Sequence, residues 1–142
     1  MNGKAFILNE RAGALANYPH ARSANGMLYI SGVSSRRHDN SHEGVTIHHD
    51  GTIERDIKEQ TRAVIENIRV ILNEAGADLE NLVDMTVFLV DMADYAGMNA
   101  VYNEYFNAHT GPTRTTVAVK QLPHPNLLIE IKAVATAPTP GE

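Results

Sequence analysis

The sequence predicts an α+β domain in which two helices cover one face of a mixed sheet. Three observations carry that expectation. Residues 56–75 repeat their apolar letters at three, four or seven, and a second stretch starting at Asp91 or Asp94 does the same to about His109. Before, between and after them the pattern changes to period two or to short apolar runs, the signature of strands. At 142 residues the chain fits one domain, and two helices of this size cover only one face of five or six strands.

The elements follow in order. "AFIL" at residues 5–8 offers a short strand, and "MLYIS" at 27–31 a buried one ending at Gly32. Val45, Ile47 and His49 then alternate with Thr46 and His48 up to Asp50-Gly51, a strong hairpin signal. In the first helix Ile57, Val64, Ile68, Ile71, Leu72 and Ala75 form one stripe, closed by Gly76. "NLVDMTVFLVD" is apolar on nearly both sides, with Val83, Met85, Val87 and Leu89 on one, and so reads as a central strand. Tyr95, Met98, Val101, Tyr102, Tyr105 and Phe106 make the stripe of the second helix, which "TGPT" stops. Two strands, 115–121 and 127–136, are expected to form a hairpin around "LPHPN", before a tail from about residue 137.

The uncovered sheet face is also largely apolar in the later strands. Monomers rarely leave such patches in water, so a closed homo-oligomer that buries this face is expected.

Composition narrows the function. With no cysteine, the chain has no disulfides, thiolate nucleophile or Cys-based zinc site. A formal charge of -5 lacks the broad basic footprint of a nucleic-acid binder. No apolar stretch approaches the roughly 20 residues of a membrane span, and the opening "MNGKAFILNERAG" is too short for a secretory leader, so a cytoplasmic protein is expected. GxGxxG, P-loop and GxSxG motifs are missing. His38 and His42 have a helical ligand spacing but stand among turn letters without a third ligand, and no metal is expected.

Two charges ask for a reason. Arg114 opens the alternating run and Glu130 sits among the apolar letters of the next, although such residues are seldom buried unpaired. In an antiparallel hairpin they share a face when paired numbers sum to an even value, and not otherwise. A surface ion pair and a functional pair both fit the letters.

"ANYPHAR", "YISG", "MTVFLVDMADYAGMNAVYNEYF" and "GPTRTTVAVKQLP" followed by "LIEIKAVAT" resemble, in order and spacing, the Rid (YjgF/YER) family of reactive-intermediate deaminases over almost the whole chain. The resemblance implies one Rid-like domain over residues 1–142 with a chorismate-mutase-like fold, and a homotrimer with its sites in the clefts between subunits. It also implies hydrolysis of an enamine or imine to a keto acid and ammonia, without a cofactor. By position, Arg114 matches the family arginine that grips the substrate carboxylate, and Glu130 the glutamate that positions or activates water. Tyr18, Gly32 and Asn99 match pocket positions, and Thr116 stands where many members carry cysteine. The resemblance implies the even register for Arg114 and Glu130.

After "SG" the chain departs from the common pattern, with a longer stretch rich in arginine and histidine. "SSRRHDNSHEGV", with "QTRAVIENIR", is similar to the 2-aminomuconate deaminase branch, whose substrate is an unsaturated C6 dicarboxylate carrying an enamine. A second carboxylate would need a second cation, and Arg36 or Arg37 is the candidate. The expected partners are therefore that small dicarboxylate and further copies of the chain, as a trimer alone or a higher assembly of trimers. A broad 2-imino acid deaminase and a non-catalytic ligand-binding or protein-protecting module are the alternatives.

Overall fold

The computed structural model describes residues 3–138. Six strands form one sheet in the order β1-β2-β3-β8-β6-β7: β1 (Lys4–Phe6), β2 (Ala21–Ala24), β3 (Met27–Val33), β6 (Leu82–Leu89), β7 (Thr113–Ala118) and β8 (Ile129–Thr136). A separate hairpin pairs β4 (Val45–Ile47) with β5 (Ile53–Arg55). Helices α1 (Ile57–Glu74) and α2 (Tyr95–Tyr105) complete the expected α+β arrangement.

Local chemistry sets the boundaries. Asp56 caps α1, its carboxylate accepting the Glu59 N–H at 3.1 Å, and Gly76 turns the chain away at φ +81°. Asp91 caps a 3-10 turn at Met92–Asp94 that leads into α2. That second helix stops at Tyr105, four residues short of the expected end. The Asn107 side chain takes the N–H groups of His109 and Thr110 at 2.9 and 3.1 Å, a local turn that competes with further helix.

Between the helices and the sheet lies the core. Ile65, Ile68 and Leu72 of α1 and Met98 of α2 pack on Leu28, Ile30, Met85, Val87, Ile129, Ile131 and Ala133, all fully buried. Each large side chain so buried contributes about 1.5 to 3 kcal/mol relative to exposure. A register shift between Leu82 and Asp84 turns Leu82 into this core and leaves Val83 exposed, which the alternation had placed beside Met85.

The expected terminal hairpin does not form. β7 pairs in parallel with β6, and β8 runs antiparallel on the other side of β6, between it and β3. Parallel neighbours need a crossover, which α2 supplies between β6 and β7. The freed β8 becomes a central strand while β7 is left at the edge. Ala137 still bonds Gly26 O at 2.8 Å, whereas the rest of the expected tail after Pro138 lies outside the described residues.

The face away from the helices carries Tyr29, Thr86, Phe88, Val117, Glu130, Lys132 and Val134. Tyr29 and Val117 are 47% and 40% exposed, so the apolar surface expected on that side is present in the single chain. Among the described residues no helix is long and apolar enough to cross a membrane.

Candidate active site

Strand pairing decides where the two charges point. Arg114 lies opposite Met85, whose side chain is fully buried against the helices, so Arg114 is on the helix face. Glu130 lies opposite Phe88, three positions along β6 and of the other parity, so it is on the bare face. Two strand spacings and three residues put their backbones about 10 Å apart in each direction. Within one chain the even register is therefore overturned: the pair never shares a face, because β6 stands between β7 and β8.

The expected site residues fall into two clusters. On the bare side, a cavity of about 300 Å³ is lined by Tyr18, Gly32, Arg36, His42, His124 and Glu130, among others. A wider groove of about 710 Å³ runs past Tyr18 and Arg36 but does not reach Glu130, so the smaller cavity is the one with a carboxyl to do chemistry. At the β7 edge, Arg114 and Thr116 form the second, with Asn99 on the α2 helix that Arg114 contacts.

The first cluster is built from three loops. His20 accepts the Leu8 N–H on Nδ1 at 3.1 Å, so its Nε2 carries the proton donated to Ala12 O at 2.8 Å. Ser31 of β3 donates to Pro19 O at 2.8 Å, which ties the Tyr18 segment to the strand that presents Gly32. There β3 breaks register between Ile30 and Val33. A Cβ on Gly32 would stand 2.7 Å from Glu130 Oε2, so only glycine leaves the carboxyl its place.

Arg36 and His42 come from the segment after β3, where they form an isolated antiparallel bridge. Asn67 of α1 holds that segment by donating to Ser34 O at 2.9 Å. The β7–β8 loop is fixed from the core side. Buried Gln60 donates to Asn126 O at 3.0 Å and accepts the Leu128 N–H at 2.9 Å, which sets the entry into β8 and hence Glu130.

Electrostatics separate the charged groups. Burial raises the Glu130 pKa above the usual glutamate value, and Glu130 forms no ion pair among the described residues. Arg114 on the other face contributes nothing to this shift, whose cause is burial alone.

Of the two candidate arginines, Arg37 is exposed and points its guanidinium at Glu43, with both contacts at 3.0 Å. Arg36 donates to Asn40 Oδ1 at 2.6 Å and to Gly13 O, and has no carboxylate partner among the described residues. Only Arg36 lines the cavity with Glu130.

In the second cluster Arg114 stacks over Tyr102, 4.6 Å from the ring centroid, and over Tyr95 at 5.7 Å. It donates to the Tyr95 hydroxyl at 3.2 Å and contacts Met98 Sδ at 3.7 Å. Burial raises the Tyr102 pKa, and the Arg114 charge opposes part of that rise. Asn99 follows Tyr95 by four on α2 and is half-buried on the same side. Thr116 shares the Arg114 face of β7, and its buried hydroxyl finds no partner among the described residues. The half-buried Arg114 guanidinium thus has no carboxylate partner among the described residues, on the sheet face that also holds the unsatisfied Thr116 hydroxyl.

Sequence reasoning missed His124 and the cavity position of His42. A signal existed for His124, which stands in the "LPHPN" loop whose prolines enforce a turn next to β8. Among the described residues no His, Asp, Glu or Cys cluster could hold a metal ion.

A mixed sheet with helices on one face, and a partly desolvated carboxyl in a cavity that an arginine also lines, define a small α+β domain with a candidate site at the rim of its sheet. The chain belongs to the Endoribonuclease L-PSP family, the Rid or YjgF group, whose model matches residues 9–137. A RutC family protein of Pyrococcus abyssi is 52% identical over 83 residues, which span 58% of this chain and 64% of that protein. Reactive Intermediate Deaminase A of Arabidopsis thaliana is 34% identical over 134 residues, 94% of this chain and 66% of its own length. The crystal structure of E. coli TdcF with bound serine superposes with a TM-score of 0.77 at 29% identity, covering 95% of this chain and 99% of that one.

Proposed function

We propose that this protein is a cofactor-independent deaminase that hydrolyses the enamine of 2-aminomuconate to 2-oxohex-3-enedioate and ammonia. Family membership supports reactive-intermediate deamination, and the cavity supports the dicarboxylate. The observation that carries the reading is the half-buried Glu130, with a raised pKa, in one cavity with an arginine, neither of them in an ion pair among the described residues.

The chemistry asks little of the protein. The enamine takes a proton on carbon and loses one from nitrogen to become an imine, whose C2 is already electrophilic. Water adds to C2 while one of its protons passes by way of Glu130 to the nitrogen, which gives a carbinolamine; the carbinolamine then hands its hydroxyl proton through Glu130 to the amine, and ammonia leaves as the ketone forms. A carboxyl with a raised pKa is suited to both directions of transfer. Gly32 and Tyr18 shape the space around it.

Arg114 is the anchor for the carboxylate beside C2, with Asn99 and Thr116 next to it. Since Arg114 and Glu130 occupy opposite faces, they meet only if the chain assembles so that the β7 edge of one copy closes the cavity of the next. A homotrimer that buries the bare face would do so three times. The distal carboxylate is assigned to Arg36, because Arg37 is already neutralised by Glu43.

The test is ammonia release from freshly generated 2-aminomuconate beside a small amino-acid-derived imine. Preference for the dicarboxylate is the expected result. Equal rates would make the protein a broad 2-imino acid deaminase, and no release from either would leave a binding module. Arg36→Ala is expected to raise KM for 2-aminomuconate about tenfold, the worth of one charge-assisted contact, while Arg37→Ala leaves it within about twofold. Unchanged KM in Arg36→Ala would remove Arg36 from substrate binding.

A further inference from the structure

The wall of the Glu130 cavity that carries Arg36 also carries two histidines. His42 and His124 stack with ring centroids 4.4 Å apart and planes tilted by 38°. They come from segments far apart in sequence, one after β3 and one between β7 and β8, and each segment is tied down separately. His42 bridges Arg36, while the His124 loop is anchored through Asn126 to Gln60 and to Arg55, whose guanidinium donates to Asn126 Oδ1 at 3.1 Å.

Hydrogen bonding fixes how His124 is presented. Its Nδ1 accepts the Asn126 N–H at 3.1 Å, so in the neutral ring the proton is on Nε2, and that donor has no partner among the described residues. His42 is 8% exposed, and its Nε2 likewise has no partner. Burial foremost, then the charges of His124, Arg36 and Arg37, lowers the His42 pKa, so His42 is the neutral ring of the stack. A neutral ring underneath leaves His124 free to donate without a second cation pressed against it.

We propose that His124, positioned by the stacked His42, is a second hydrogen-bond donor beside Arg36 for the distal carboxylate of a dicarboxylic ligand. The inference rests on Glu130 as the hydrolytic end of the same cavity, and adds the group that distinguishes a dianion from a monoanion of equal length. Arg36 supplies charge, and His124 supplies direction. One guanidinium alone attracts any anion; a fork completed by an imidazole N–H on the other side selects a carboxylate at that point in the cavity.

Binding of two unreactive acids tests this without relying on turnover. trans,trans-Muconate and the monocarboxylate sorbate share six carbons and the same double-bond geometry and differ by a carboxylate in place of a methyl group. Calorimetric titration of the assembled protein is expected to give muconate an affinity at least about tenfold above that of sorbate. In His124→Phe, which keeps a ring on His42 and loses both nitrogens, about fivefold or more of that preference is expected to vanish, with sorbate within about twofold of wild type. His124→Gln retains a donor and should restore part of it. A wild-type protein with no muconate preference, an undiminished preference in His124→Phe, or equal weakening for both acids would each overturn the subsite. Preference lost in His124→Phe with no ammonia released by wild type would instead sink the deaminase reading and keep the subsite.

Discussion

Glu130→Gln is expected to bind substrate nearly as well as the native protein and to lose about 10²-fold or more in kcat, the range of a positioned general acid–base group. The amide keeps the shape that Gly32 accommodates but can neither take the proton of water nor hold one for the leaving nitrogen. Burial has raised the native carboxyl above the usual glutamate value, so the basic form disappears at higher pH than for an ordinary glutamate. Activity should therefore rise with pH through that raised value and flatten above it, and the residual rate of the Gln variant should lack that limb. Stability gives an independent check of sign. The folded state holds this proton more tightly than the unfolded chain, so the stabilisation present below the ordinary glutamate pKa is lost as pH climbs through the folded value. Relative to the native protein, Glu130→Gln should thus gain in Tm as pH rises across that window, so its lost turnover would not reflect unfolding. Full turnover in the Gln variant would remove Glu130 from the mechanism.

How far the letters reached can be read from particular elements. Both helices were legible because periodicity and caps act within a few residues: Gly76 closes α1 as expected, and Asp56, read as its first residue, caps it. The hairpin of β2 and β3 was legible and passed over. Its Asn25–Gly26 turn, with φ of 51° and 78°, is the preferred two-residue type. The partner of β7 was beyond reach, since whether a strand pairs with its successor or its predecessor depends on the crossover that α2 makes over the sheet. With it went the faces of Arg114 and Glu130, a matter of parity through a third strand. The choice between Arg36 and Arg37 needed Glu43, six residues from Arg37 yet within 3.0 Å of its guanidinium. Spacing alone did not foretell that ion pair. His124 escaped for a related reason: its stack with His42 joins two loops that share no pattern.

Arg114→Ala is expected to lower kcat/KM at least about tenfold, since it deletes the guanidinium that takes the carboxylate next to the reacting carbon. The stronger result comes from combining it with Glu130→Gln. Parity puts the two groups on opposite faces of one sheet, so a site that uses both must draw them from neighbouring copies. Chains bearing only Arg114→Ala and chains bearing only Glu130→Gln, each nearly inactive alone, should then regain activity when refolded together in equal amounts. An interface that takes its arginine from the Glu130→Gln chain and its glutamate from the Arg114→Ala chain is native, and random closed assembly makes about a quarter of the interfaces so. A site housed within one chain has no such rescue, because no chain in the mixture carries both groups. A mixed assembly no more active than its two components would mean that Arg114 and Glu130 do not serve one reaction, and the cavity around Glu130 would have to find its second anchor within its own chain.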